Sequence, residues 1–233
     1  MQPAPRRPRL VLLLSGRGSN ALNILDAIDA GRIPMNFVAA IADRPAEGLD
    51  RLAERGIDTV QIPRRAFPDR ATFEQALDEA LTAFAPDLVA LAGFMRVLSD
   101  GFVARHAGTM VNIHPSLLPA YRGLDTHARA LADDVTEHGA SVHWVTPELD
   151  GGPVIAQARV PVQPGDDVAA LTARVLEQEH RLYPAVLALL GRDAVRTADD
   201  ESSNAPLLLD RDLDVDGRRT GPGRSRAGPG TDD

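Results

Sequence analysis

From Leu10 to Leu14 five apolar residues run without interruption, and a glycine-containing loop, Ser15 to Asn20, ends the run. A short continuous apolar segment bounded by a turn predicts a strand buried on both faces, as in a parallel sheet. The period then changes. Leu22, Ile24, Leu25 and Ile28 keep helical spacing until Gly31 stops them. The same exchange repeats: Phe37–Ala42 predicts a second strand, Leu49–Arg55 a helix ending at Gly56, and Thr59–Ile62 a third strand. Thr72–Phe84 carries the clearest helical stripe, at Phe73, Ala76, Leu77, Ala80, Leu81 and Phe84. Pro86 lies just past its end, and Leu88–Leu91 follows as a fourth strand. From Met110 the texture shifts, with strands predicted at Met110–Ile113, Ser141–Val145 and Val154–Val160 on shorter or irregular connections. A long helix over Leu171–Leu190, with Pro184 as a candidate kink, closes the pattern.

Strands alternating with helices of this length imply right-handed βαβ units. The expectation is one α/β domain over 1–192, a central, mostly parallel twisted sheet flanked by helices. Its N-terminal half, 9–100, is Rossmann-like; 101–192 holds the less regular part. After about Arg192 the apolar pattern fails. Ser202–Asp233 carries Gly, Pro, Asp and Arg, one apolar knot at Leu207–Leu209 and no aromatic residue, so 193–233 is expected to be a disordered tail. No internal repeat is present.

Composition narrows the function. With 33 acidic against 25 basic residues the formal charge is −8, which argues against a broad nucleic-acid surface of clustered Lys and Arg. A small anionic ligand stays open, because a few backbone amides hold a phosphate even in an acidic protein. There is no cysteine, which excludes disulfides and thiolate metal sites. The segment before Leu10 is Pro/Arg-rich and the apolar run after it is too short for a signal peptide or a membrane span. The expectation is a cytoplasmic protein with small-molecule partners, no nucleic acid and no membrane, as a monomer or homodimer.

The loop Gly16-Arg17-Gly18-Ser19-Asn20-Ala21 fits the dinucleotide fingerprint between strand and helix, and Asp43 follows the second strand where such folds place a ribose-binding acid. A nicotinamide-dependent oxidoreductase or a non-catalytic nucleotide-binding domain therefore stands as an alternative. The shared physics is anion binding by backbone N–H groups at a helix N-terminus, to which Ser19 and Asn20 add donors that suit a monophosphate. A tight turn with Asn20 as a helix cap would look the same. No Lys follows the glycines, which removes a Walker-type loop.

Asn112-Ile113-His114-Pro115-Ser116-Leu117-Leu118-Pro119 is more informative. Residues two apart in an extended segment share a face, so Asn112 and His114 project together before two prolines fix the exit. A carboxamide beside an imidazole offers a hydrogen-bond donor and a proton carrier, both of which acyl transfer needs. Glu148-Leu149-Asp150-Gly151-Gly152-Pro153 adds a carboxylate on a loop whose glycines permit close backbone approach. Asp150 is expected to raise the pKa of His114 above its ordinary value. A structural histidine and a turn aspartate are the plainer readings of the same residues.

Together these segments resemble the phosphoribosylglycinamide formyltransferases that use 10-formyltetrahydrofolate in purine synthesis. The resemblance spans roughly Leu10 to Leu190 and is carried by SGRGSN at Ser15–Asn20, LAGFMRVLS at Leu91–Ser99, NIHPSLLP at Asn112–Pro119 and ELDGGPVI at Glu148–Ile155. It implies a formyltransferase-like fold, 10-formyltetrahydrofolate as co-substrate and no metal. By resemblance Asn112, His114 and Asp150 match the catalytic trio, and Gly18, Ser19 and Asn20 the segment holding the substrate phosphate. Met95, Arg96, Val97 and Leu98, with Asn112, match the folate pocket. Arg70 matches a folate-contacting base and Glu179 a residue contacting the ribosyl-glycinamide. The chain departs from the common pattern at Asp125, where many relatives carry histidine, and Arg122 is similar to the Tyr-Arg-Gly of methionyl-tRNA formyltransferases. His127 is expected behind the site or on its phosphate side, and His143 faces one side of a strand near the site, where structural packing is at least as good a reading.

The resemblance implies direct transfer: the glycinamide amine attacks the formyl carbon, Asn112 and protonated His114 hold the oxygen, and Asp150 keeps the imidazole charged and orders water for the proton. No H-E-x-x-H or G-x-S-x-G motif offers a zinc or serine-hydrolase alternative. A formyl-folate hydrolase would share the trio but carry a further N-terminal domain, and a tRNA formyltransferase a basic C-terminal one. With the first strand at Leu10 and a tail of mixed charge, neither is expected.

Overall fold

The computed structural model describes residues 6–192 and the backbone of Leu207 and Leu208. Its elements run β1 (Arg9–Leu14), α1 (Ser19–Asp29), β2 (Asn36–Ala42), α2 (Glu47–Ala53), β3 (Asp58–Gln61), α3 (Arg70–Phe84), β4 (Leu88–Leu91), α4 (Asp100–Arg105), β5 (Met110–His114), α5 (Thr126–Ala132), β6 (Glu137–Trp144), β7 (Val154–Pro161), α6 (Val168–Arg192) and β8 (Leu207–Leu208). All strands join one sheet in the order β3-β2-β1-β4-β5-β6-β7-β8. β3, β2, β1, β4 and β5 are mutually parallel, whereas β6 is antiparallel to both β5 and β7.

The uninterrupted apolar run of β1 has its reason in this order, because β1 is central and covered on both faces. Its alternate side chains divide between two cores. Leu10, Leu12 and Leu14 pack with α1, α2 and α6 through residues such as Ile24, Leu52 and Leu187. Val11 and Leu13 pack on the opposite side with Phe73 and Leu77 of α3 and Phe102 of α4. Burying such side chains contributes about 2 kcal/mol each, before ordering entropy is set against it. Tyr183 of α6 is completely buried, and its hydroxyl reaches the Leu91 and Val111 carbonyls at 3.0 and 3.2 Å, pinning the helix to β4 and β5. The backbone of α6 stays helical through Pro184.

Several expectations need correction. Helices α4 and α5 lie in stretches where none was predicted, and β6 starts at Glu137 rather than Ser141. In the segment expected to be a tail without structure, Leu207 and Leu208 pair in parallel with Ala156 and Gln157 on the edge of β7. The rest of that segment lies outside the described residues. Among the described residues no helix is long and apolar enough to cross a membrane.

The sheet order reverses direction between β1 and β4, one of the places where open α/β sheets bind ligands beyond the carboxyl ends of their strands. The loops leaving β1, β4 and β5 meet there.

Candidate active site

The loop after β1 owes its shape to two glycines. Gly18 caps α1 with φ 70° and packs so closely on Gly48, at the start of α2, that a Cβ on Gly18 would lie 2.8 Å from the Gly48 Cα. Gly48 N–H also donates to the Gly16 carbonyl. This contact fixes the entry to α1, whose first residues are the half-buried Ser19 and the buried Asn20. Asn20 is buried and its Nδ2 donates to Glu179 Oε2 at 2.8 Å, joining α1 to a residue 159 positions away on α6. Burial raises the Glu179 pKa, and Asn20 offsets that only in part. The Asn20 Oδ1 is buried with no partner, an acceptor that a ligand can satisfy. Asn20 thus does not cap its helix.

Asp43, in the position of a dinucleotide-binding acid, is not open to a ribose. Its side chain is fully buried, and Arg44 and Arg96 bind it with Nη2 at 3.0 Å and Nε at 2.5 Å respectively. Burial works to raise its pKa, but hydrogen bonds from Arg44, Ser15 and Arg96 prevail and hold it below the usual carboxylate range. The fingerprint in the first loop is accordingly not a nicotinamide site.

The segment after β4 forms one wall of a cavity. Phe94, Arg96, Val97 and Leu98 face Val145–Asp150 across it, with Leu91, Asn112 and His143 among the residues at its base. Val97 and Leu149 are 61% and 51% exposed, leaving apolar surface on both walls uncovered. Met95, at 60%, is exposed beside the cavity, and its N–H donates to the Ser15 hydroxyl. Arg70 does not reach the wall. It pairs with Glu74, whose carboxylate also accepts from the Ser99 N–H and hydroxyl, so it touches the segment only through Glu74. A separate depression between α3 and α4, around Asp78 and His106, contains none of these residues.

At the base, β5 and β6 set the register: Asn112 lies opposite His143, and His114 opposite Ser141. The His143 Nδ1–H donates to the Trp144 carbonyl, which leaves Nε2 to accept from Asn112 Nδ2 at 3.2 Å. Asp150 closes the group, with Oδ2 3.4 Å from His114 Nδ1 and Oδ1 3.6 Å from His143 Nε2. It stands at φ 48°, a left-handed conformation that aspartate tolerates better than most residues, and accepts from the Gly123 N–H at 2.9 Å. Gly152 makes that turn possible, since a Cβ there would lie 1.9 Å from the Trp144 carbonyl oxygen. Burial opposes the Asp150 charge, but the adjacent His143 ring, the Gly123 N–H and the nearby His114 hold its pKa down.

Two expectations change here. His143 is not packing alone: it lines the cavity and contacts both Asn112 and Asp150. The pKa of His114 is lowered, not raised. Burial is the largest influence, and the Tyr121 carbonyl and the Asp150 charge, which favour imidazolium, do not overcome it. His114 is 6% exposed, and its Nε2–H donates to the Tyr121 carbonyl at 2.9 Å. His127 stacks edge-on against His138 with ring centres 5.2 Å apart, behind His114. Among the described residues no cluster of three or more His, Asp and Glu is arranged to hold a metal ion.

The chain is similar to several named proteins. The formyl transferase family model matches residues 8–187. Phosphoribosylglycinamide formyltransferase of Escherichia coli K12 is 49% identical over 179 residues, covering 76% of this chain and 84% of that protein. The protein of the same name from Mycobacterium tuberculosis is 39% identical over 83% of this chain and 89% of its own length. A structure of the Coxiella burnetii phosphoribosylglycinamide formyltransferase, solved with CHES, is 42% identical and superposes with a TM-score of 0.79 over 91% of this chain and 99% of that one. With the family model covering most of its length, this chain belongs to the formyl transferase family.

Proposed function

We propose that the protein transfers the formyl group of 10-formyltetrahydrofolate to the amine of 5'-phosphoribosylglycinamide, giving formylglycinamide ribonucleotide in de novo purine synthesis. The observation that carries this reading is the meeting of Asn112, His114 and Asp150 at the carboxyl end of β5, in a chain 49% identical to a named phosphoribosylglycinamide formyltransferase. The cavity suits a flat heterocycle, with uncovered apolar surface at Val97 and Leu149 and a carboxamide at its base. Bound there, the folate supplies an activated formyl carbon and a nitrogen leaving group.

On this reading Arg96, Val97, Leu98 and Asn112 line the folate site, and Met95 lies at its edge. Arg70 contacts the co-substrate from outside the cavity. Gly18, Ser19 and Asn20 take the ribonucleotide phosphate at the start of α1, where N–H groups and the helix dipole favour an anion. Asn20 Oδ1 and Glu179, whose pKa burial raises, then hold the ribosyl-glycinamide.

The lowered pKa of His114 revises the proton path. His114 rests neutral, with Nδ1 unprotonated and facing Asp150. It accepts the proton lost by the attacking amine, and the adjacent carboxylate stabilises the imidazolium that forms. The pair then returns the proton, through water, to the departing folate nitrogen. Asn112 Nδ2 donates to the formyl oxygen as negative charge develops there. The test is to offer 10-formyltetrahydrofolate with glycinamide ribonucleotide and, separately, with water alone. Formylated ribonucleotide should appear only in the first. Equal loss of formyl-folate without the ribonucleotide would make the protein a hydrolase.

A further inference from the structure

Asp43 has no part in the chemistry above, yet its carboxylate joins three loops at the carboxyl end of the sheet. It directly follows β2, and Arg44, which binds it, is the next residue. From the loop after β4, Arg96 reaches it at 2.5 Å. From the end of β1, the Ser15 hydroxyl donates to it and in turn accepts from the Met95 N–H at 2.9 Å. Its own carbonyl accepts from the Arg64 N–H after β3. Ser15 leads directly into the Gly16–Asn20 loop, and Met95 and Arg96 begin the folate wall. One buried carboxylate therefore sets the geometry of both loops.

We propose that Asp43 is a positioning residue that locks the phosphate loop after β1 to the folate loop after β4, so that both substrates' sites depend on it. This rests on the substrate assignment above. The charge balance gives the mechanism. Arg44 and Arg96 are 43% and 35% exposed, while the carboxylate between them is fully buried. Without its negative charge two guanidinium groups face each other across a neutral side chain. Water is within reach of both, so they separate, and Arg96 carries the folate wall with it. Ser15 then loses its acceptor, and Met95 and the phosphate loop lose their common anchor. Catalysis is less exposed to the change, because the hydrogen bonds of Asn112, His114 and Asp150 go to His143, Tyr121 and Gly123 and not to Asp43.

The experiment compares wild type, Asp43→Asn and Ser15→Ala. Calorimetry with glycinamide ribonucleotide alone, and with a non-transferring 10-formylfolate analogue alone, is paired with steady-state kinetics. Losing a buried charged hydrogen-bond partner should weaken each ligand about tenfold or more in Asp43→Asn. Turnover at saturation should fall by less than about threefold, a split that general loss of structure would not give. Ser15→Ala keeps the Asp43–Arg96 pair and should weaken both ligands by a smaller factor; it decides the matter alone if Asp43→Asn does not fold. Weakening of only one ligand, of neither, or a fall in turnover with both affinities intact overturns the proposal while leaving the proposed reaction standing. Failure of the wild type to bind either ligand overturns the substrate assignment itself.

Discussion

His138 makes stability depend on pH in a direction the structure fixes. Its side chain is 1% exposed, and neither ring nitrogen has a hydrogen-bond partner among the described residues. Burial is the chief cause that pushes its pKa down to about 4, with His127 and His114 adding to it and the Pro115 carbonyl giving a small counterweight. In the unfolded chain the same ring titrates near 6.5. Between those values the unfolded state takes up a proton that the folded state refuses, so stability is full above the unfolded pKa and falls as the pH drops toward 4. From pH 7 to pH 5 the loss from this residue is about 2 kcal/mol, a large part of a typical domain's stability. His138→Phe replaces the ring with one of similar size and no titration. Urea unfolding at the two pH values should give a wild-type stability difference about 2 kcal/mol greater than that of the variant. An equal pH dependence in both proteins would show that His138 is charged or hydrated in the folded state, and the reasoning from its burial would fail.

Asn112→Ala should fold normally and lose about a hundredfold in turnover, the usual effect of one oxyanion donor; a rate near wild type in the formyl-transfer assay removes Asn112 from the mechanism. Gly48→Ala places a methyl within 2.8 Å of the Gly18 Cα and should displace the first loop, weakening glycinamide ribonucleotide more than folate in calorimetry; equal weakening would mean the loop does not hold the phosphate. Asp150→Asn removes a charge that favours imidazolium, so the His114 pKa should fall further below its ordinary value and turnover should drop. An NMR titration giving the same value in both proteins separates the two residues. Truncation after Arg192 removes the two paired residues of β8 and should cost no more than about 1 kcal/mol, or about 2–4 °C in Tm by calorimetry, with activity kept.

Much of the candidate site's geometry was legible in the sequence because it rests on local rules. The period-two spacing of Asn112 and His114 needs only a strand, and the Gly18 turn only a glycine where φ is positive. What escaped depends on contacts between distant segments. His143 becomes a site residue because β6 runs antiparallel to β5 in the register that sets it opposite Asn112. The sign of the His114 shift depends on how completely neighbouring elements exclude water, whereas the motif reveals only that a carboxylate is near. The missed helices are short, six residues in α4 and seven in α5, too few for a periodic stripe. For α4 a signal existed: Ser99 caps it by accepting from the Phe102 N–H at 3.2 Å. The early start of β6 was hidden by Glu137-His138-Gly139. Gly139 packs so tightly that a Cβ there would lie 2.0 Å from the Ala158 carbonyl oxygen.

The departures at Arg122 and Asp125 find a structural use in the same region. Asp125 takes φ 56° as the residue before α5, a conformation that aspartate adopts at modest cost. The Arg122 guanidinium pairs with Glu148, two residues before Asp150, while Gly123 donates to the Asp150 carboxylate itself. Arg129 holds the other side, with Nη1 2.7 Å from the Arg122 carbonyl and its guanidinium over the Tyr121 ring. The Tyr121 carbonyl in turn accepts from His114. The segment 121–125 is thus a strap joining the imidazole of the trio to its carboxylate. The exposed Arg122–Glu148 pair adds little to stability, but it closes the strap over the Asp150 loop. An arginine that resembles one in tRNA formyltransferases is here engaged by a carboxylate of its own chain. Its presence therefore does not argue for a nucleic-acid substrate.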